Sequence, residues 1–83
     1  MSEIEERVIN ITKKELDKIN VEIDSIAFIK SNNQNVLDIT LISDKTLDLN
    51  LIVTASKIIK KKLDEEDFIT ADYILDCHSK VGG

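Results

Sequence analysis

Ile4, Val8, Ile11, Glu15 and Ile19 recur at three- and four-residue intervals with Leu16 on their flank, while Arg7, Asn10, Lys14 and Asp17 fall largely opposite. That spacing predicts an amphipathic helix with one buried face. Ser2 followed by Glu5 reads as a capping box, in which the serine side chain and the glutamate carboxylate satisfy amide donors that the first turn leaves open. Asn20 stands where such a helix stops, because asparagine tolerates the left-handed conformation usually given to glycine.

The period then changes. Val21 and Ile23 alternate with Glu22 and Asp24, and Ile26 and Phe28 carry the apolar positions one register later. A bulge near Asp24-Ser25 produces that shift of phase in a strand running to Lys30. Ser31-Asn32-Asn33-Gln34-Asn35 is a polar turn cluster. From Val36 to Ser43, Leu37, Ile39 and Leu41 share one face and Asp38 and Thr40 the other. Two strands joined by a short polar loop predict an antiparallel hairpin.

Asp48 is placed to cap a second helix running to about Leu63. Its inner face is Ile52, Ala55, Ile59 and Leu63, widened by Leu51 and Ile58; Asn50, Thr54, Lys57 and Lys61 lie opposite. The acidic run Asp64-Glu65-Glu66-Asp67 ends it. Tyr73, Leu75 and Cys77 alternate with Asp72, Asp76 and His78, which predicts a third strand.

The expected fold is α+β, a two-layer sandwich in the order α-β-β-α-β, with a three-stranded sheet and both helices on one face. The first strand is expected between the other two, making the sheet antiparallel. A right-handed crossover is expected from the second strand through the helix to the third. Ile29, Val36, Ile42 and Ile74 can all point to the other face, and an apolar patch on an open sheet usually marks something that covers it. Ile29, Ile42 and Ile74 are therefore candidates for a face that docks a domain or a protein.

Composition narrows the chemistry. Eighty-three residues, 42% hydrophobic and 33% charged, make one small domain. No apolar run approaches the roughly 20 residues needed to span a bilayer, so no membrane partner is expected. One cysteine forms no intramolecular bridge, which fits a reducing, cytoplasmic setting. One cysteine and one histidine are too few for a thiolate zinc site. The net charge of −5 and the single arginine, Arg7, argue against a general nucleic-acid coating protein. Lys57, Lys60 and Lys61 nonetheless form a local basic face, a candidate for contact with RNA phosphates against the plainer reading of a solvated helix surface.

Before Gly82 there is no glycine, and there is no proline at all. Phosphate loops, dinucleotide fingerprints and nucleophile elbows all require glycine, so none is present. The element order is similar to that of a KH domain, but its GXXG clamp has no counterpart. Cys77 and His78, adjacent on a strand, point to opposite faces and do not form a nucleophilic couple. No catalytic residue, cofactor or metal is expected. Glu65, Glu66 and Asp67 read as solvated charge before they read as a hard-cation site.

These elements, end to end, resemble the N-terminal domain of the ribosome maturation factor RimP family. Val21-Glu22-Ile23 with Ile26-Ala27-Phe28-Ile29-Lys30 is similar to the family's "ELVDVEYVK" strand, and Asn35-Val36-Leu37-Asp38-Ile39 to the "NWVLRV" strand that follows its polar turn. Ser43-Asp44-Lys45 and Asp48-Leu49 stand where the family has "IDK" and "TL". The most specific stretch is Leu63-Asp64-Glu65-Glu66-Asp67, then Ile69, Tyr73 and Leu75-Asp76, against "LDEEDPIP…YTLEV". Ser79 corresponds to the second serine of "SSPG". The chain departs from the family with Phe68 and Thr70 at two proline positions, Lys80 at a third, and Asn20 in place of a glycine.

The resemblance implies a non-enzymatic factor that assists assembly of the small ribosomal subunit. Its implied partner is the immature small subunit, through a basic ribosomal protein or pre-rRNA. It also implies a second, SH3-like domain where the full gene encodes one. Residues 1–80 read as a single domain and 81–83 as the start of a linker or a frayed end; a chain ending at the linker and a shortened protein both remain open. The alternative is a stand-alone interaction module that pairs through a sheet edge or face.

Overall fold

The computed structural model describes residues 2–31 and 33–80. Asn32 in the polar turn and residues 81–83, read as a linker start or frayed end, lie outside the described residues. The elements are α1 (Glu3–Asp17), β1 (Glu22–Ser31), β2 (Gln34–Ile42), α2 (Leu49–Glu66) and β3 (Ile74–Ser79).

Each local signal has a structural counterpart. Ser2 and Glu5 form the full capping box, with Glu5 N–H donating to Ser2 Oγ and Ser2 N–H donating to Glu5 Oε1. At the other end of α1, Asn20 adopts φ 59°, and Val21 N–H donates to Leu16 O at 3.1 Å to close the helix. The β1–β2 ladder is antiparallel, with its register shift between Ile23 and Ser25, which leaves Asp24 as the bulged residue. Asp48 caps α2 by accepting from Leu51 N–H at 2.8 Å. α2 runs one turn beyond Leu63 before Asp67, at φ 45°, stops it by donating its N–H to Leu63 O.

The sheet differs from the expected arrangement. Its order is β1-β2-β3, with β2 at the centre; β1 pairs with β2 antiparallel and β3 pairs with β2 parallel. The sheet is therefore mixed. α2 carries the chain about 27 Å back along the sheet, as either arrangement requires, and β3 then pairs with β2 from Val36–Ile74 onward. The choice of neighbour rests on which strand can be flanked on both sides. β2 suits the centre because Leu37, Ile39 and Leu41 are all fully buried. β1 carries Glu22, an exposed Asp24 in a bulge and Lys30, features that belong on an edge.

One core joins the layers: Val8 and Leu16 of α1, Leu37, Ile39 and Leu41 of β2, and Ala55, Ile59 and Leu63 of α2 are buried together with Val21. The two helices also touch each other, as expected of helices sharing one face. Thr12, not anticipated on the inner stripe, sits at its middle between Val8 and Leu16. Its hydroxyl donates to Val8 O at 2.8 Å, which satisfies the one polar side chain in this core. Ile52, expected on the inner face of α2, is only half-buried and is not among the residues packed against this core, whereas Leu51 and Ile58 are.

Candidate functional site

Two surfaces carry the sequence-predicted residues. The first is the open face of the sheet. Pairing sets Ile29 opposite Val36 and Val36 opposite Ile74, so three apolar side chains form a row across all three strands. Ile29 and Ile74 are 46% and 47% exposed, and a contiguous apolar row marks a face that is covered more than single exposed residues do. The next row is Ala27, Asp38 and Asp76, and the one after it Ser25, Thr40 and His78. Apolar at one end and charged beyond, the face is a patch with polarity along its length.

Ile42 does not join that row. It lies six residues beyond Val36 on β2, about 20 Å along the strand. It lines a separate depression with Asn20, Val21, Glu22 and Ser43. Val36 joins Ile29 and Ile74 at the centre of the row.

Two carboxylates brought side by side, Asp38 and Asp76, repel each other. His78 relieves this by a diagonal contact: its Nε2 lies 2.5 Å from Asp38 Oδ1. The hydrogen bond to Asp38 holds the His78 imidazole above its ordinary value, and the surrounding acids act in the same direction. This pair spans 40 positions of sequence and is set by the β2–β3 register alone.

The second surface is an open groove between α2 and β3, with Leu75 at its base and Lys57, Lys60 and Lys61 on its helical wall, alongside Asp64 and Glu65. All three lysines are exposed and within one turn or so of each other. They differ in freedom. Lys60 Nζ is 2.8 Å from Asp64 Oδ1 and 5.9 Å from the centre of the Tyr73 ring. Asp64 holds its ammonium above the usual value. Lys57 and Lys61 have no ion pair among the described residues, which leaves their charge available to an incoming anion.

The remaining chemistry is structural. Cys77 faces the helices, where burial pushes its thiol up and a hydrogen bond with Ser56 opposes that only in part. A thiol held protonated is a poor nucleophile. His78, the next residue, faces the opposite side of the sheet. Of the acidic run, Glu65 pairs with Lys62 at 3.8 Å, Glu66 with Arg7 at 3.9 Å, and Asp67 is spent on the helix stop. Among the described residues, no three acidic, histidine or cysteine side chains gather as a metal cage. Arg7 also stacks 4.6 Å over the Phe68 ring, tying α1 to the segment after α2. Among the described residues, no helix is long and apolar enough to cross a membrane.

Comparison with known proteins adds one match. A family model described as the RimP N-terminal domain matches residues 11–80, most of the chain. No curated protein matches.

Proposed function

The chain belongs to the RimP N-terminal domain family, a family of ribosome maturation factors, and on that footing we propose that it binds immature small ribosomal subunits in the cytoplasm without catalysing a reaction. The family match over residues 11–80 carries this reading. The physical character of the surfaces supports it. An acidic domain, net charge −5, is attracted to a basic ribosomal protein, where complementary charge speeds encounter and rejects wrong partners. Lys57 and Lys61, without an ion pair among the described residues, offer two ammonium groups to rRNA phosphates, with Lys60 as a third held partly by Asp64. The Ile29–Val36–Ile74 row offers an apolar seat for a protein strand or for an SH3-like domain following in the same chain. Ile42, apart from that row, would contribute through a second, smaller contact.

The test is co-sedimentation. A chain extended through the SH3-like domain is mixed with immature small subunits at low and rising salt. Co-pelleting at low salt that weakens steeply as salt rises supports the proposal. Failure to associate with those particles at low salt overturns it.

A further inference from the structure

The two edges of the sheet are not equivalent. On β1, the outward N–H of Phe28 is already taken by Glu5 Oε2 at 2.9 Å, and the bulge at Asp24 breaks the edge further. On β3 the outward side is open. Lys80 N–H donates to Leu41 O, so the even-numbered residues of β3 face β2. By alternation, the N–H and C=O groups of Leu75, Cys77 and Ser79 point away from the sheet, and among the described residues no strand lies beyond them.

We propose that this edge pairs with the same edge of a second copy of this chain, antiparallel about a two-fold axis at Cys77, to make a continuous six-stranded sheet. The register follows from chemistry. Pairing Cys77 with its symmetry mate sets Leu75 against the mate's Ser79, so all three outward-facing residues exchange hydrogen bonds, about six in total. In the same register, Asp76 on the open face falls opposite the mate's His78, and His78 opposite the mate's Asp76. Opposite charges directly across a strand pair attract. Asp38 favours the protonated His78 that this requires, through its 2.5 Å contact within each copy. Such a self-complementary patch, in which residue i meets j and j meets i, is what a two-fold interface demands. The two lysine grooves, each lying beside β3, then flank the axis. The inference rests on the β3 edge and on Asp38 beside it, not on the family reading, so self-association and subunit binding stand or fall separately.

Sedimentation equilibrium over micromolar to millimolar protein tests it, combined with amide hydrogen exchange. The expected result is a concentration-dependent doubling of mass. With it, exchange at Leu75, Cys77 and Ser79 slows at least about tenfold as the dimer fills. Asp76→Lys places a cation opposite the mate's His78 and is expected to weaken the dimer by at least about tenfold. Within one copy the same change replaces the Asp38–Asp76 repulsion with attraction, so its melting temperature is expected to equal or exceed the parent's. A chain that stays monomeric at millimolar concentration overturns the proposal. So does a dimer that leaves those three amides unprotected or is indifferent to Asp76→Lys.

Discussion

The carboxylate of Glu5 accepts the backbone N–H of Phe28 through Oε2 at 2.9 Å while its Oε1 closes the capping box on Ser2. One side chain thus terminates α1 and fastens it to the edge of β1, 23 positions away. The hydrogen bonds from the Ser2 and Phe28 amides, in that order, hold the Glu5 carboxyl below its usual value. Glu5→Gln is expected to lower stability by about 1–2 kcal/mol at neutral pH, the scale of a charge-assisted hydrogen bond at a partly exposed site. The sign with pH follows from the lowered value. The ionised carboxylate's contribution is complete above the unfolded value near 4.5 and is lost as pH falls through the folded value. Denaturant melts of parent and variant should therefore converge as pH is lowered through that window. A gap that stays constant to pH 3 would exclude the linkage.

The His78–Asp38 pair works in the opposite direction. Its folded value is raised from 6.5, so the stabilisation is fully present below that pH and fades as pH rises through the folded value. His78 is the only histidine in the chain, so its ring resonances titrate without ambiguity in an NMR series. Asp38→Asn is expected to move that titration back toward the ordinary histidine range, because the hydrogen bond to the carboxylate is its largest cause. An unmoved midpoint would mean the pair does not form in solution.

Ile59 is fully buried at the meeting point of α2 and the rest of the core. Ile59→Ala removes methylenes and leaves a cavity, at an expected cost of about 2–5 kcal/mol. That is a large part of the total stability of a domain this small. Thermal melting by circular dichroism reads it directly; a melting temperature equal to the parent's would place Ile59 outside the core.

Asp67 holds a left-handed backbone at φ 45° to stop α2. A β-carbon there is strained by roughly 1 kcal/mol, which glycine avoids. Asp67→Gly is therefore expected to raise the melting temperature by up to about 4 °C, since glycine's extra freedom in the unfolded chain offsets part of the relief. A fall in melting temperature would mean that the aspartate side chain contributes more than its backbone costs.

Lys57 and Lys61 test the basic wall of the groove. Replacing both with Glu should leave the far-ultraviolet spectrum intact, since both side chains are exposed. It should reduce subunit binding and flatten its dependence on salt by about two phosphate contacts. Unchanged binding would return these lysines to ordinary solvated surface.

The pattern of polar and apolar positions is enough to read the elements and most of their faces; on α1 it sets Glu15 on the inner stripe and Leu16 on its flank, whereas Val8, Thr12 and Leu16 form the buried line. The Ser2–Glu5 box, the Asn20 stop, the Asp24 bulge and the Asp48 cap each depend on residues within about five positions of one another, and each is legible for that reason. The inner faces of β2 and, Ile52 apart, of α2 likewise follow from period alone. Thr12 escaped because a threonine is not counted as apolar, although the i−4 carbonyl gave its hydroxyl a partner inside the same helix. The lysines of α2 were visible as a basic stripe. That Lys60 is bound by Asp64 was available in the i, i+4 spacing; that it also lies over Tyr73 was not.

Strand order was a matter for the tertiary structure. An αββαβ sequence is compatible with either β1 or β2 at the centre, and both arrangements bury the same apolar stripes. The choice falls to which strand tolerates neighbours on both sides. The same holds for the pairs joining distant elements: Glu5 with Phe28, Arg7 with Phe68, Asp38 with His78, and the Ile29–Val36–Ile74 row. Local interactions act within a turn or a hairpin and leave their mark on neighbouring letters. Contacts across the sheet exist only once register and strand order are set by the packing of the whole layer.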